Sequence, residues 1–350
     1  MQNVKCKIKY QNLQFEICNL RFAIPQQRGF TLVELLVAMA IASVLGMAGV
    51  SLFSTSNWAY KVNEDVTEAQ QNGRVSMERL AKDIRAAGFG LPDPPFSLSI
   101  GGTNWTSPIT VTTSGGSTNS DSITILGIGY EVGKLVGQVA TTPVSGENLS
   151  SATDICVEDK DARFTTQFSN RKYINIGGAV YRELTAAPWT VCGVSGKKLT
   201  LATPLDRNYP NDTPVFIIQA VQYTVNNSAP FLGGCSASNP CLASLDFTGL
   251  RGGNGNDRQV LAENIEDIQF AYGVDTDGNG KLDSTTLSYD PADDSTILAV
   301  RAWVVAKTRN KDMRGATFTR PLIEDHSAST PDNYRRRTLT KIIKLRNPRT

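Results

Sequence analysis

The sequence predicts an α+β protein in which a long N-terminal helix, a membrane span followed by an amphipathic half, packs on a mostly antiparallel β head. Three observations lead there. Phe30 to Phe53 is a run of 24 residues in which Glu34 is the only ionisable side chain, longer than the roughly 20 residues that cross hydrocarbon as a helix. The next stretch, to Ala87, keeps apolar residues near helical spacing and contains no proline before Pro92. From about residue 97, glycine, serine, threonine and asparagine separate short β-branched runs, the pattern of many strands joined by turns.

Residues 1–29 precede the span as a leader. They hold Lys5, Lys7, Lys9, Arg21 and Arg28 against Glu16 alone, a local excess of +4. The rest of the chain carries 30 basic and 32 acidic side chains, so no global attraction to polyanions is implied. A basic leader before an apolar run is kept on the cytoplasmic side. An ordinary secretory signal fits poorly, because its apolar core is only about 7–15 residues long and its cleavage site follows that core. Here the candidate cleavage point, Gly29, lies ahead of the run, and cutting there leaves the span on the mature chain.

The span, residues 30–53, places a carboxylate where charge is expensive. An unpaired Asp or Glu at the centre of a membrane helix costs about 2.5 kcal/mol or more, which makes Glu34 a functional candidate. One reading lets it reach the headgroups from a shallow position. The other pairs it with the α-amine freed at Phe30, on a neighbouring subunit, inside an apolar bundle.

Residues 54–88 continue the helix. Val62, Val66, Ala69, Val75, Leu80 and Ile84 form its apolar side. Gly73 weakens the helix locally, and Gly88, Gly90 and "LPDPP" stop it. Taken as one helix, residues 30–87 would measure roughly 87 Å. Arg74, Glu78, Arg79 and Asp83 read as surface pairs and head contacts.

The head, residues 89–350, includes the strand-like runs "SITILGIGY", "PVFIIQAVQYTV" and "ILAVRAWVVAKT". Cys6 and Cys18 fall in the leader, while Cys156, Cys192, Cys235 and Cys241 fall in the head. An even number in an oxidising compartment favours two disulfides. Three pairings are open. The short spacing of Cys235 and Cys241 favours that pair, which leaves Cys156 with Cys192. Zinc is disfavoured by irregular spacings and a lone histidine, His326.

In "YGVDTDGNGKLDSTT", Asp275, Asp277 and Asn279 alternate, Gly280 permits a sharp turn, Lys281 offers its backbone carbonyl and Asp283 follows. These match the early ligand positions of an EF-hand-type Ca²⁺ loop. Thr286 stands where such a loop carries its bidentate glutamate, so further ligands would come from elsewhere, with Asp290, Asp293 and Asp294 close in sequence. An Asx-rich turn without metal is the alternative. The tail "NYRRRTLTKIIKLRNP" alternates basic and apolar residues as a half-buried strand with a solvated basic face does. It lacks the aromatic series of a single-strand binder, so no nucleic-acid partner is expected.

"RGFTLVELLVAMAIASVLG" resembles the class III signal of type IV prepilins and of type II secretion pseudopilins. The resemblance implies a type IV pilin-like fold and a prepilin peptidase that cuts after Gly29 and methylates the new N-terminal Phe30. It gives Glu34 a role in filament assembly. A 29-residue leader is long for this family, which leaves a later start as a second expectation. "NGRVSMERLAKDIRAAGF" resembles PilW-like minor pilins and J-type minor pseudopilins, and the "DTDGNG" stretch and "YRRR" tail occur in PilW-like heads. A lone histidine, with no nucleophile elbow, P-loop or dinucleotide fingerprint, gives no basis for an enzyme. The expected role is a minor pilin in the inner membrane with a periplasmic head. Its partners would be the peptidase, other minor pilins, the major pilin and membrane lipid, and it would prime pilus assembly and end near the tip. The alternatives are a J-type minor pseudopilin, or a pilus-borne adhesin or DNA-binding module.

Overall fold

A computed structural model describes residues 29–92, 96–100, 102–113, 120–138, 147–148, 153–158, 173–185, 191–192, 196–226, 235–247, 257–283, 297–324 and 326–346. The leader to Arg28, with Cys6 and Cys18, lies outside them, as do Thr286, Asp290, Asp293 and Asp294. The chain divides into two compact units, Met1–Trp58 and Ala59–Thr350.

Helix α1 runs from Leu32 to Ala86 without interruption. Every residue from Gly29 to Asn57 is exposed, and the span contains large apolar side chains such as Phe30 at 85% exposure. In the second unit the helix acquires a buried seam of Ala69, Gly73, Ser76, Met77, Leu80, Ala81 and Ile84. That seam corrects the apolar side expected from sequence. Val75 is 54% exposed, because a step of 100° per residue from Gly73 and Met77 turns it away. Gly73 is a contact point: a Cβ there would lie 2.6 Å from Leu339 Cδ1 and 3.4 Å from Ala306 Cβ. The stop occurs as expected, with Gly88 and Gly90 at positive φ (75° and 72°) and Gly88 N donating to Leu126 O at 2.9 Å.

The described strands are β1 (Leu98–Ile100), β2 (Thr103–Trp105), β3 (Ile109–Thr112), β4 (Ser122–Gln138), β5 (Glu147–Asn148) and β6 (Asp154–Glu158). They continue with β7 (Tyr173–Ile176), β8 (Val180–Glu183), β9 (Val191–Cys192), β10 (Gly196–Thr200), β11 (Tyr209–Pro210) and β12 (Pro214–Asn226). The last are β13 (Cys241–Asp246), β14 (Asp257–Glu263), β15 (Ile265–Val274), β16 (Ile297–Lys307) and β17 (Arg336–Lys344). Every pairing is antiparallel. The large sheet follows the order β14-β13-β12-β4-β6-β10-β9, with β3 on β4 and β7, carrying β8, on β12. A separate sheet has the order β15-β16-β17.

The alternation of β-branched residues makes these strands amphipathic. Even-numbered residues of β16, including Val300, Ala302 and Val304, join Phe270 and Tyr272 of β15 against the helix seam in one core. A second core gathers Val132, Ile155, Val157, Ile174, Leu199 and Val215. There β10 passes the Cys156–Cys192 bridge so closely that a Cβ on Gly196 would lie 2.4 Å from Cys156 Sγ and 2.7 Å from Cys192 O. Neither atom can retreat, since one is crosslinked and the other is backbone. Gly196→Ala is therefore expected to destabilise the protein by about 1–3 kcal/mol through overpacking. Denaturant unfolding of the full chain in detergent checks this, and an unchanged midpoint would contradict it.

Candidate functional site

Three places in the chain carry the residues singled out above: the start of α1, the acidic loop after β15, and the β15–β17 sheet with the segment between β16 and β17.

At the start of α1, Thr31 and Glu34 form a reciprocal capping box. Glu34 N donates to Thr31 Oγ1 at 3.3 Å, and Glu34 Oε2 accepts from Thr31 N at 3.3 Å and from Thr31 Oγ1 at 3.2 Å. Leu35 N donates to Thr31 O at 3.2 Å and closes the first turn. The carboxylate satisfies donors that a helix leaves open at its first turn and faces the positive end of the helix dipole. The signal was in the sequence as Thr-x-x-Glu, and the reading of Glu34 by membrane cost alone passed over it. Gly29 and Phe30 lie just ahead of this turn in exposed, non-helical chain.

The acidic loop begins where β15 ends. Asp275 is buried, and Asp277 and Asp283 are exposed. Their carboxylate oxygens lie within 4.8 Å of one another. Gly278 and Gly280, at φ 73° and 75°, turn the backbone so that its N–H groups point inward. Asn279 N donates to Asp275 Oδ1 and Asp277 Oδ1, both at 3.1 Å, and Gly280 N donates to Asp275 Oδ2 at 2.6 Å. Thr276 donates to Asp283 through its hydroxyl and its backbone N–H, and these bonds hold the Asp283 carboxyl below the ordinary aspartate range. Lys281 N donates to Asn279 Oδ1 at 2.8 Å. Three carboxylates held by backbone turns form an all-oxygen donor set that suits a hard divalent cation. Asp275, Asp277, Asn279, Lys281 and Asp283 are thus consecutive parts of one turn.

Two disulfides close the head: Cys156–Cys192, with S–S 2.05 Å across 36 residues, and Cys235–Cys241, with S–S 2.17 Å across 6. Among the described residues, the acidic loop is the one cluster of three or more metal-ligating side chains.

Near the start of β15 lies Asp267, whose side chain is fully inaccessible. Its Oδ1 accepts from Ser120 Oγ at 2.7 Å and Gln269 Nε2 at 3.0 Å. Its Oδ2 accepts from Arg320 Nη1 at 3.2 Å and lies 2.8 Å from His326 Nδ1. A proton on Nδ1 is the assignment that avoids setting a ring lone pair against a carboxylate lone pair. Burial pushes the Asp267 carboxyl up, and its four donors oppose that. His326, solitary in the sequence, is therefore a structural clamp. With Arg320 it pins the segment between β16 and β17 onto the sheet. A single histidine with no motif gives no sequence signal for this role.

The arginines of the tail divide by function, which corrects the picture of a solvated basic face. Arg336 forks onto Glu266 (Nε–Oε2 2.6 Å) and Asp332 (Nη2–Oδ2 2.5 Å) with its side chain almost inaccessible. Arg335 holds Asp312 at 2.7 Å and stacks on Phe318. On the helix, Arg79 pairs with Asp83 at 3.0 Å, and Tyr223 of β12 donates to Asp83. These contacts fasten α1 to the large sheet. Arg74 and Glu78, expected to pair as well, are exposed and make no ion pair among the described residues.

Residues 222–347 match the family profile described as Type IV Pilus-assembly protein W, and residues 24–50 match the prokaryotic N-terminal methylation motif. The chain is thus similar to PilW-type pilus-assembly proteins over roughly its last third and to N-terminally methylated chains over its start. The PilW match runs from the second half of β12 through β17, so it contains the acidic loop, the Asp267 clamp and the tail arginines. A curated relative, the pilin-like protein PilA3 of Thermus thermophilus, is 36% identical over 85 residues, which cover 21% of this chain and 36% of that protein. The chain thus spans little more than a third of that relative. No solved structure matches it.

The Arg335–Asp312 pair gives this PilW-like head a defined acid response. Hydrogen bonds from the Arg335 guanidinium and from Arg314 N hold the Asp312 carboxyl below the ordinary range. A depressed folded-state value adds stability that is fully present above the unfolded value of about 3.9 and is lost as pH falls through the folded value. Arg335→Gln should therefore lower the melting temperature at neutral pH and flatten its fall between about pH 4 and pH 2. Parallel acid-dependence in variant and parent would refute the assignment.

Proposed function

We propose that this protein is a minor pilin. In this reading a prepilin peptidase cuts between Gly29 and Phe30 and the new N-terminus is methylated. The helix holds the protein in the inner membrane with the head in the periplasm. It then joins other minor pilins and the major pilin in a complex that primes pilus assembly, near the tip. The observation that carries the proposal is the start of α1. A helix long and apolar enough to cross a membrane, with none of its apolar window buried inside the chain, begins one turn after the methylation-motif glycine, and its span to Phe53 contains a single carboxylate, Glu34.

The chemistry at that start is packing and neutralisation. Before cleavage, the capping box holds Glu34 in a local and polar arrangement. After cleavage, the Phe30 amine supplies a cation, and a subunit entering an apolar bundle lowers the cost of its own carboxylate by pairing with a neighbour's amine. The family profile is described as a pilus-assembly protein and the relative as pilin-like, and no catalytic role is proposed.

Glu34→Ala is expected to leave membrane insertion intact and reduce surface pili several-fold. Thr31→Ala breaks the capping box, worth about 1 kcal/mol, but keeps the carboxylate, so it should retain pili. Normal piliation with Glu34→Ala would remove the pairing role.

The acidic loop is proposed as a Ca²⁺ site held by Asp275, Asp277, Asn279, the Lys281 carbonyl and Asp283. The bound ion would offset repulsion among the three carboxylates and stiffen the end of β15. At a hundredfold excess over Kd, binding adds about 2.7 kcal/mol of stability. Calcium should raise the melting temperature of the full chain in detergent, EDTA should reverse the rise, and Asp277→Ala should abolish it. A melting temperature indifferent to both reagents would discard the site.

A further inference from the structure

The three-stranded sheet ends in β17, which pairs with β16 over nine residues, from Arg336↔Lys307 to Lys344↔Ala299. No strand among the described residues pairs with its other side. A strand edge presents alternating unpaired N–H and C=O groups and accepts a further strand. This edge is long by the standards of exposed edges and lies in the last described strand of the head.

Its charges are arranged along that edge. Arg335 and Arg336 are consumed by Asp312, Glu266 and Asp332. Arg337, Lys341, Lys344 and Arg346 are not: none of them has an ion-pair partner among the described residues. Strand alternation puts Arg337 and Lys341 on the face shared with Leu339 and Ile343, and Lys344 and Arg346 on the opposite face. Uncompensated cations thus flank the edge on both sides. Between them Ile342 is 55% exposed, beside Thr338 and Thr340 on the outward face. The edge is anchored at its end, where Arg346 N donates to Arg85 O of the helix at 3.1 Å, so it is a preformed template.

We propose that β17 is a docking edge for an extended acidic segment of a neighbouring subunit, which adds as a fourth strand to β15-β16-β17. Main-chain hydrogen bonds would supply affinity. The four cations would select carboxylate-bearing strands and repel a second copy of β17 itself. The identity of the partner as a subunit of the same assembly rests on the minor-pilin reading. The edge and its charge preference do not.

The test uses the full purified chain in non-ionic detergent and two nine-residue peptides, one alternating glutamate with threonine and one alternating lysine with threonine. Amide hydrogen exchange is read over residues 337–345. The glutamate peptide should slow exchange there at least tenfold at low salt, and the lysine peptide should not. Lys341→Glu combined with Lys344→Glu should reverse the preference, with unchanged circular dichroism showing that the fold is kept. Raised salt should weaken protection by the glutamate peptide. Protection by both peptides equally, or by neither, overturns the proposal, the second result leaving the cations as a guard against edge pairing. Protection by phosphatidylglycerol vesicles but not by the glutamate peptide also overturns it and assigns the strip to a membrane surface. Failure of the minor-pilin reading, by contrast, would appear in piliation and N-terminal processing, and would leave these exchange results unaltered.

Discussion

An apolar surface as large as the first half of α1 is unstable against water, and everything else in the chain is arranged around where that surface can go. From Phe30 to Phe53, fourteen large apolar side chains are exposed. At about 1.5–3 kcal/mol each for full burial, they amount to tens of kcal/mol of unmet hydrophobic free energy. Something must cover them. A membrane can do so, and in the proposed assembly the helices of other subunits would; the span passes between those settings only if its one carboxylate is neutralised in both. The capping box accounts for Glu34 in the free chain, and in the proposed bundle the amine of a processed neighbour would account for it.

The second half of α1 faces the opposite demand, since it must stay fixed to the head. Its seam of small and medium residues lets the sheets come close, as at Gly73 under Leu339. Apolar packing is non-directional, so the orientation of the helix comes from polar pins. Tyr223 and Arg79 meet at Asp83 on one flank, and Arg346 N reaches Arg85 O at the end. Farther out, Asp267 and Arg336 each bind several partners and hold the long segment between β16 and β17 in place. Breaking one partner of such a network leaves a buried charge uncompensated, which is costly.

Much of this was legible in the residues. Two of the three β-branched runs became β12 and β16 almost to the residue, and the third became the first half of β4, which runs on to Gln138, because period-two patterns bounded by turn residues admit few other structures. The glycine stop of α1 was readable for the same reason, since positive φ is what glycine allows. The membrane-sized run announced itself by composition. Val75 was misread because β-branched bulk in an amphipathic stretch suggests burial, while the decisive positions were occupied by glycine, serine and alanine. His326, Arg320 and Ser120 lie far from Asp267 in sequence, so only the fold brings them together. The tail arginines looked alike in sequence, and their partners Glu266, Asp312 and Asp332 separated them.

The most direct test of the central claim is intact mass spectrometry, with N-terminal fragmentation, of the protein extracted from the membranes and pili of its own cells. The account predicts a mature chain that begins at residue 30 with an N-methylated phenylalanine and retains the whole of α1. A chain that keeps residues 1–29 in the assembled fraction, or one cut after Phe53 so that the apolar half is lost, would contradict it.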